Sequence, residues 1–332
     1  MECAFCDNEE VSLFKESKEQ SFRKDSFMII DHFYKCEKCN EVYVTSEIEQ
    51  INIVQVYNQY REKHKILFPE QIKKLREKYD VSAAKMSEIL GFGTNTYGKY
   101  ERGEIPNESN TALLNLITEP HNFKELLEEK REMLSTNEYE KILKNLDFLI
   151  QDNSKFTLKS NLLENVKIPT RFHGFVFPNI EKLANLVIYF AENVKPFMVK
   201  LNKLLFYADF LNYKKTGYSI SGFQYAAIPM GPVPNNYGIL FQLIENEGFI
   251  QTEYVSFNNG EGSDRFVAKK VFDESLFTEI ELDSINKVAE TFKNMSTDEI
   301  KEISYKEIAW INEISGKKII DYQKYAFGLK AI

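Results

Sequence analysis

Four cysteines, all within the first 40 residues of a 332-residue chain, stand as two C-x2-C pairs, Cys3/Cys6 and Cys36/Cys39. No other feature limits the fold as tightly. Each pair presents two sulfurs from one tight turn, and four thiolates from two such turns match a tetrahedral Zn2+ site. In a reducing compartment, pairs at this spacing point to metal before disulfides. The alternative is four free thiols in a small strand domain. The repeated spacing and the lack of a fifth cysteine favour metal. A closed all-cysteine set leaves no open coordination position, so one structural Zn2+ without a catalytic role is expected. His32 lies between the pairs, but four thiolates leave it no place at the ion. Residues 1–46 therefore read as a zinc-binding β domain, its knuckles joined by a polar loop, with strand-like "FMIIDHFY" and "EVYVT" around the second knuckle.

The remaining chain divides by its punctuation. Residues 47–66 read as a helical connector, 67–150 as a run of short helices with trailing helices, 151–178 as a linker and 179–332 as a new unit. Pro69 suits a first helical position, Ser82, Thr94 and Ser135 suit N-caps, and Gly91 and Gly103 suit helix ends. The last unit reads as two amphipathic helices, a Pro/Gly-rich segment at 217–235, a helix near 236–247, a hairpin around "NNGEGSD" and a helical end. The fold class is thus mainly α with small β elements: a zinc-binding β domain, a Cro-type helix-turn-helix domain and a C-terminal α+β domain. No apolar run reaches the roughly 18–20 residues of a membrane span. The opening "MECAFCDNEE" lacks the basic head and apolar core of a signal peptide, so a cytoplasmic protein with no membrane partner is expected. A net charge of −8 does not announce a nucleic-acid binder, but local charge decides that question.

The stretch "GFGTNTYGKYERG" at 91–103 breaks one helix with glycines and starts another at once. With its neighbours it reads as a helix-turn-helix. Leu75, Met86, Ile89 and Leu90 give two helices an apolar face, Tyr97 and Tyr100 point inward, and Leu113, Leu114 and Ile117 close the core. Thr94, Asn95, Thr96 and Lys99 then point outward from the half of the recognition helix that meets base edges. Asn95 and Lys99 are i, i+4 and share a face; Asn pairs with adenine, and Lys reaches guanine O6 or N7. Basic and acidic residues nearly balance here, so phosphate contacts alone give modest affinity. A homodimer on a palindromic operator is expected. The plainer reading is a compact helical domain whose exposed Asn95 and Lys99 contact nothing.

Residues 1 to about 130 resemble the MqsA (YgiT-type) antitoxin family in three features: the paired C-x2-C motifs, the helical connector and a repressor-like "G-x-G-x-N-x-[FY]-x-[RK]-Y-E-[KR]-G". Here that motif is Gly91, Gly93, Asn95, Tyr97, Lys99, Tyr100, Glu101, Arg102 and Gly103. The resemblance implies base reading by Asn95 and Lys99. Lys replaces the family's familiar Arg, and an ammonium selects guanine less well than a guanidinium fork. Residues 179–332 look like the SocA-like Panacea antitoxin domain through "KLNKLLFYADFLNYKKTG", "G-x-x-Y-x-A…GPVP" and "ISYKEIAWIN". Its motif residues Lys203, Tyr207, Asp209, Gly231, Pro232 and Trp310 are candidates for partner binding. Asp209, in an apolar helix, is either a catalytic carboxylate or, more commonly, a hydrogen-bonding partner of nearby backbone. Gly231, Pro232 and Pro234 form a rigid turn, not a phosphate cradle. Trp310 with Tyr305 is core or partner anchor. His173 falls in the linker without a matched catalytic partner.

Together the resemblances imply a type II antitoxin that neutralises a cognate toxin by direct binding and represses its own operon through the helix-turn-helix domain. Neutralisation is expected in 179–332, where a slight acidic excess would suit a basic toxin. The alternative is a zinc-containing transcriptional regulator, phage-borne in one version, whose C-terminal domain senses a ligand or protein. No paired catalytic constellation, open metal site or cofactor motif points to an enzyme.

Overall fold

The computed structural model describes residues 2–152, 166–257 and 261–332. The chain is mainly helical with small antiparallel sheets and forms two compact units. One joins residues 1–56 to 169–332; the other is 57–168, the division falling within a helix after Val56.

In the first unit, β1 (Val11–Phe22) and β2 (Asp25–Cys36) form a long hairpin in register from Val11↔Cys36 to Phe22↔Asp25. The short β3 (Val42–Tyr43) pairs with Tyr34 and Lys35. The segment expected as a polar loop is therefore largely strand β1. It escaped detection because an edge strand exposed along most of its length carries no period-2 apolar signal. Strand β2 buries Phe27 and Ile29 on one face and His32 on the other. Helix α1 (Ser46–His64) follows, with acids in its first turn and Arg61, Lys63 and His64 in its last, as the helix dipole favours.

Residues 57–168 hold α2 (Pro69–Lys78), α3 (Ala83–Ile89), α4 (Thr96–Glu101), α5 (Glu108–Leu116), α6 (Pro120–Glu129) and α7 (Thr136–Asp152). Ser82 accepts from Lys85 N–H as an N-cap, and Pro69 opens α2. Leu75, Met86, Ile89, Leu90, Tyr97, Tyr100, Leu114 and Ile117 form one core, joined by Phe123, Leu127, Ile142 and Leu146 from the trailing helices. Each such side chain stabilises the fold by about 1.5–3 kcal/mol on burial.

The first unit resumes with α8 (Ile180–Asn193), α9 (Met198–Thr216), β4 (Tyr225–Ile228), β5 (Gly231–Pro234), α10 (Tyr237–Asn246), β6 (Ile250–Ser256), β7 (Gly262–Ala268), α11 (Glu279–Phe292), α12 (Thr297–Ser304), α13 (Ile308–Glu313) and α14 (Tyr322–Tyr325). Helix α9 was expected to be amphipathic but is enclosed on all sides, from Lys200 to Tyr213. It packs against α8, α11, α12 and β5, so its polar residues must be satisfied internally. The β6–β7 hairpin is present; its tip, 258–260, lies outside the described residues. So does most of the stretch read as a linker, 153–165. Further on, residues 171–173 form a turn of 3-10 helix in which His173 is buried between Thr170 Oγ1 (2.9 Å) and Gln224 Nε2 (3.2 Å). Burial lowers the His173 pKa to about 4, so the ring is neutral at pH 7. Among the described residues no helix is long and apolar enough to cross a membrane.

Candidate functional site

The two cysteine knuckles are built alike. In the first, Asp7 N–H donates to Cys3 C=O (3.1 Å) and Cys3 N–H to Asn8 C=O (2.8 Å); in the second, Asn40 N–H donates to Cys36 C=O (3.0 Å) and Cys36 N–H to Glu41 C=O (3.1 Å). Each turns through a left-handed residue just after its second cysteine, Asp7 (φ 55°) and Asn40 (φ 60°). Asp and Asn are among the side chains that tolerate this region best. The four sulfurs all lie within 4.8 Å of one another, with Cys3–Cys39 at 3.7 Å and Cys6–Cys36 at 3.6 Å. A tetrahedral site with Zn–S near 2.3 Å has S–S edges of about 3.8 Å. The cluster therefore fits a closed four-thiolate ion. Backbone N–H of Cys39 favours the Cys36 thiolate, lowering its pKa to about 6. His32 takes no part, being buried against Asn52 (Nδ1–Oδ1 3.3 Å).

In the second unit, the N-cap of α4, the second helix of the helix-turn-helix, is Asn95, not Thr94. Asn95 sits at φ 63° and makes no capping hydrogen bond, so its exposed amide is left to other partners. Thr94 and Lys99 are also exposed, and Thr96 is half-buried. The helix is six residues long and is held from beneath. Tyr97 OH donates to Ile72 C=O (2.7 Å), and Tyr97 N–H to Ser87 Oγ (3.0 Å). Asn110 Nδ2 donates to Tyr100 OH (2.8 Å), and Arg76 pairs with Glu101 (2.6 Å). Ser87 and Arg76 were not singled out from sequence; only their three-dimensional partners reveal them. Several cations of this unit have acid partners, among them Lys74–Glu70, Lys85–Glu88, Lys124–Asp147 and Lys141–Asp80. Lys99 and the exposed Arg102 have no ion pair among the described residues.

Five of the six motif residues of the C-terminal half lie in or bond to the β4–β5 hairpin, Tyr207 being the exception. Lys203, Tyr207 and Asp209 have no exposed surface, and Gly231 and Pro232 are buried too. Asp209 accepts four hydrogen bonds, from Ile220 N–H (2.7 Å), Ser221 N–H (2.7 Å), Ser221 OH (2.5 Å) and Tyr225 OH (2.8 Å). It is thus a brace for the loop entering β4, although burial raises its pKa. Lys203 Nζ donates to Pro232 C=O at 3.0 Å, and burial lowers its pKa to about 7. Gly231 (φ 90°) is required there: a Cβ would come 2.5 Å from Lys203 Cε. Tyr207 OH donates to the buried Glu307 at 3.3 Å. Trp310 Nε1 and Tyr305 OH donate to Ile228 and Pro229 carbonyls at 2.8 and 2.9 Å, their rings stacked at 4.4 Å. Exposed around this scaffold are Met230 at the hairpin tip (45%) and, on α13, Ile308 (44%) and Ile311 (50%) on either side of Trp310 in sequence. A groove of about 310 Å³ adjoins it, lined by Ala226, Ile228, Val233, Pro234, Asn236 and Ile239.

The class defined by fold and site is a four-cysteine, helix-turn-helix chain extended by an α+β module. Residues 1–131 match the family described as the antitoxin component of bacterial toxin-antitoxin system, MqsA, and residues 201–311 match the antitoxin SocA-like, Panacea domain. The chain is accordingly a fusion of these two antitoxin families. No curated protein matches it.

Proposed function

We propose that this protein is a non-enzymatic type II antitoxin of the cytoplasm, binding its toxin through the C-terminal half and its own operator through the helix-turn-helix unit. The observation that carries the reading is the presence on one chain of segments from two antitoxin families. One Zn2+ held by Cys3, Cys6, Cys36 and Cys39 has a structural role, since four thiolates complete its coordination. Asn95 and Lys99 contact bases, while Thr94, Thr96 and Arg102 lie beside them for phosphate, and a homodimer spans a palindromic operator. The toxin docks on Met230, Ile308 and Ile311 and places an anchoring side chain in the adjoining groove, as interface hot spots do. Lys203, Tyr207, Asp209 and Gly231 hold that surface in place from within, and Trp310 at its base does both.

The direct test is co-expression of the full chain with the toxic small protein encoded next to it. Rescue of growth together with co-purification of the pair supports the reading. Failure to bind or to protect against that neighbour rejects it.

A further inference from the structure

A seam of buried residues holds the metal cluster and the C-terminal half in one fold. Strand β2 ends on Cys36, and four residues earlier the His32 ring packs edge-on against Phe327, centroids 5.2 Å apart. On α1, Asn52 and Gln55 bind the open edge of β2 as a further strand would. Asn52 accepts from His32 N–H and donates to His32 C=O, both at 2.9 Å; Gln55 does the same to Ile30, again at 2.9 Å. Gln55 Oε1 also accepts from Gln323 Nε2 at 3.0 Å, and Gln323 Oε1 from Tyr213 OH at 2.7 Å. Tyr213 lies on the enclosed helix α9, its ring 5.7 Å from Phe327. A continuous path of contacts, half-buried at β2 and fully buried from Gln55 inward, thus leads from the strand carrying Cys36 to the C-terminal core.

We infer that the four-cysteine site and the C-terminal half are one thermodynamic unit: metal bound by the thiolates stabilises α9 and the segment 322–329, and its loss loosens them. The four sulfurs, all within 4.8 Å of one another, form a closed set of ligands drawn from both knuckles, so an ion bound there ties together the turns that fix the end of β2. The free energy of a ligand that binds only the folded state passes to everything that folds with its site. By linkage, disturbing the seam must weaken metal binding by the same factor. Residues 57–168 bury a core of their own and supply the internal reference.

The test uses the full-length chain loaded with Zn2+, then stripped with a chelator, and followed by amide hydrogen exchange. Protection of Leu204–Leu211 and Tyr322–Phe327 should fall at least ~10-fold on stripping and return with Zn2+, while Met86–Leu90 stays constant. In the reciprocal arm, Phe327→Ala should lower Zn2+ affinity at least ~10-fold though it touches no thiol. Gln323→Ala, which keeps every ring, should lower it about 3-fold and covers the case in which Phe327→Ala does not fold. Unchanged protection in the stripped chain, or full Zn2+ affinity in Gln323→Ala, overturns the inference.

Discussion

The helix-turn-helix unit and the composite unit are held by contacts of very different reach. In residues 57–168 the bonds that seat α4 join Tyr97 to Ile72 and Arg76 to Glu101, each 25 residues apart, and Asn110 to Tyr100, 10 apart. In the composite unit the corresponding bonds join Lys182 to Glu281, Tyr207 to Glu307 and Gln55 to Gln323, separated by 99, 100 and 268 residues. Local contacts repay chain entropy as they form, whereas distant ones require large loops to close first. One chain thus holds a helical unit assembled from consecutive residues and a module assembled from its two ends.

Refolding is where that difference should be largest. After dilution from denaturant, fluorescence and pulse-labelling exchange should find residues 69–146 protected at least ~10-fold sooner than α9 and α14. Simultaneous protection of both would break the comparison. Next in size is Asp209→Ala. It strands four buried donors, each costing about 1–3 kcal/mol when left unpaired, so the composite unit should lose about 4 kcal/mol or more. Calorimetry should show its transition shifted down with that of residues 57–168 in place.

His173 sharpens the comparison through pH. Its folded pKa of about 4 lies below the ordinary value of 6.5, so the unfolded chain takes up the proton first. Stability from this residue is complete above pH 6.5 and lost as pH falls towards 4, by up to about 3 kcal/mol before allowance for its partial exposure. Denaturant melts of the composite unit at pH 7 and 5 should differ, and His173→Gln should flatten the difference. A smaller effect separates two roles of Asn95. The left-handed backbone alone is served by Asn95→Gly, so that variant should fold as the parent does yet lose about 1–3 kcal/mol of discrimination at one operator position. Unaltered specificity would assign Asn95 to backbone geometry only.

The legibility of the sequence follows the same division. Helix caps at Ser82 and Ser135, the stop at Gly91 and the inward Tyr97 and Tyr100 could be read because their signals act within one or two turns. The cysteine spacing likewise locates the four-cysteine cluster, since each knuckle is local. Strand β1 was not legible, because neither of its faces is consistently covered, and α9 looked one-sided because its buried Lys203, Asp209 and Asn212 read as polar surface. The union of residues 1–56 with 169–332 leaves no local trace at all. Gln55 and Gln323 are each an ordinary polar residue until the fold brings them to 3.0 Å.

Under the proposed function, toxin and operator are held by different units, and one full-length variant, Met230→Asp with Ile311→Asp, assayed in parallel for toxin binding and operator binding, separates them. Both side chains are about half exposed, so the fold should tolerate the change. The account predicts loss of toxin affinity by 100-fold or more, about 3 kcal/mol on the hot-spot scale, with operator affinity within 2-fold of the parent. Undiminished toxin binding, or an equal loss for operator and toxin, would contradict it.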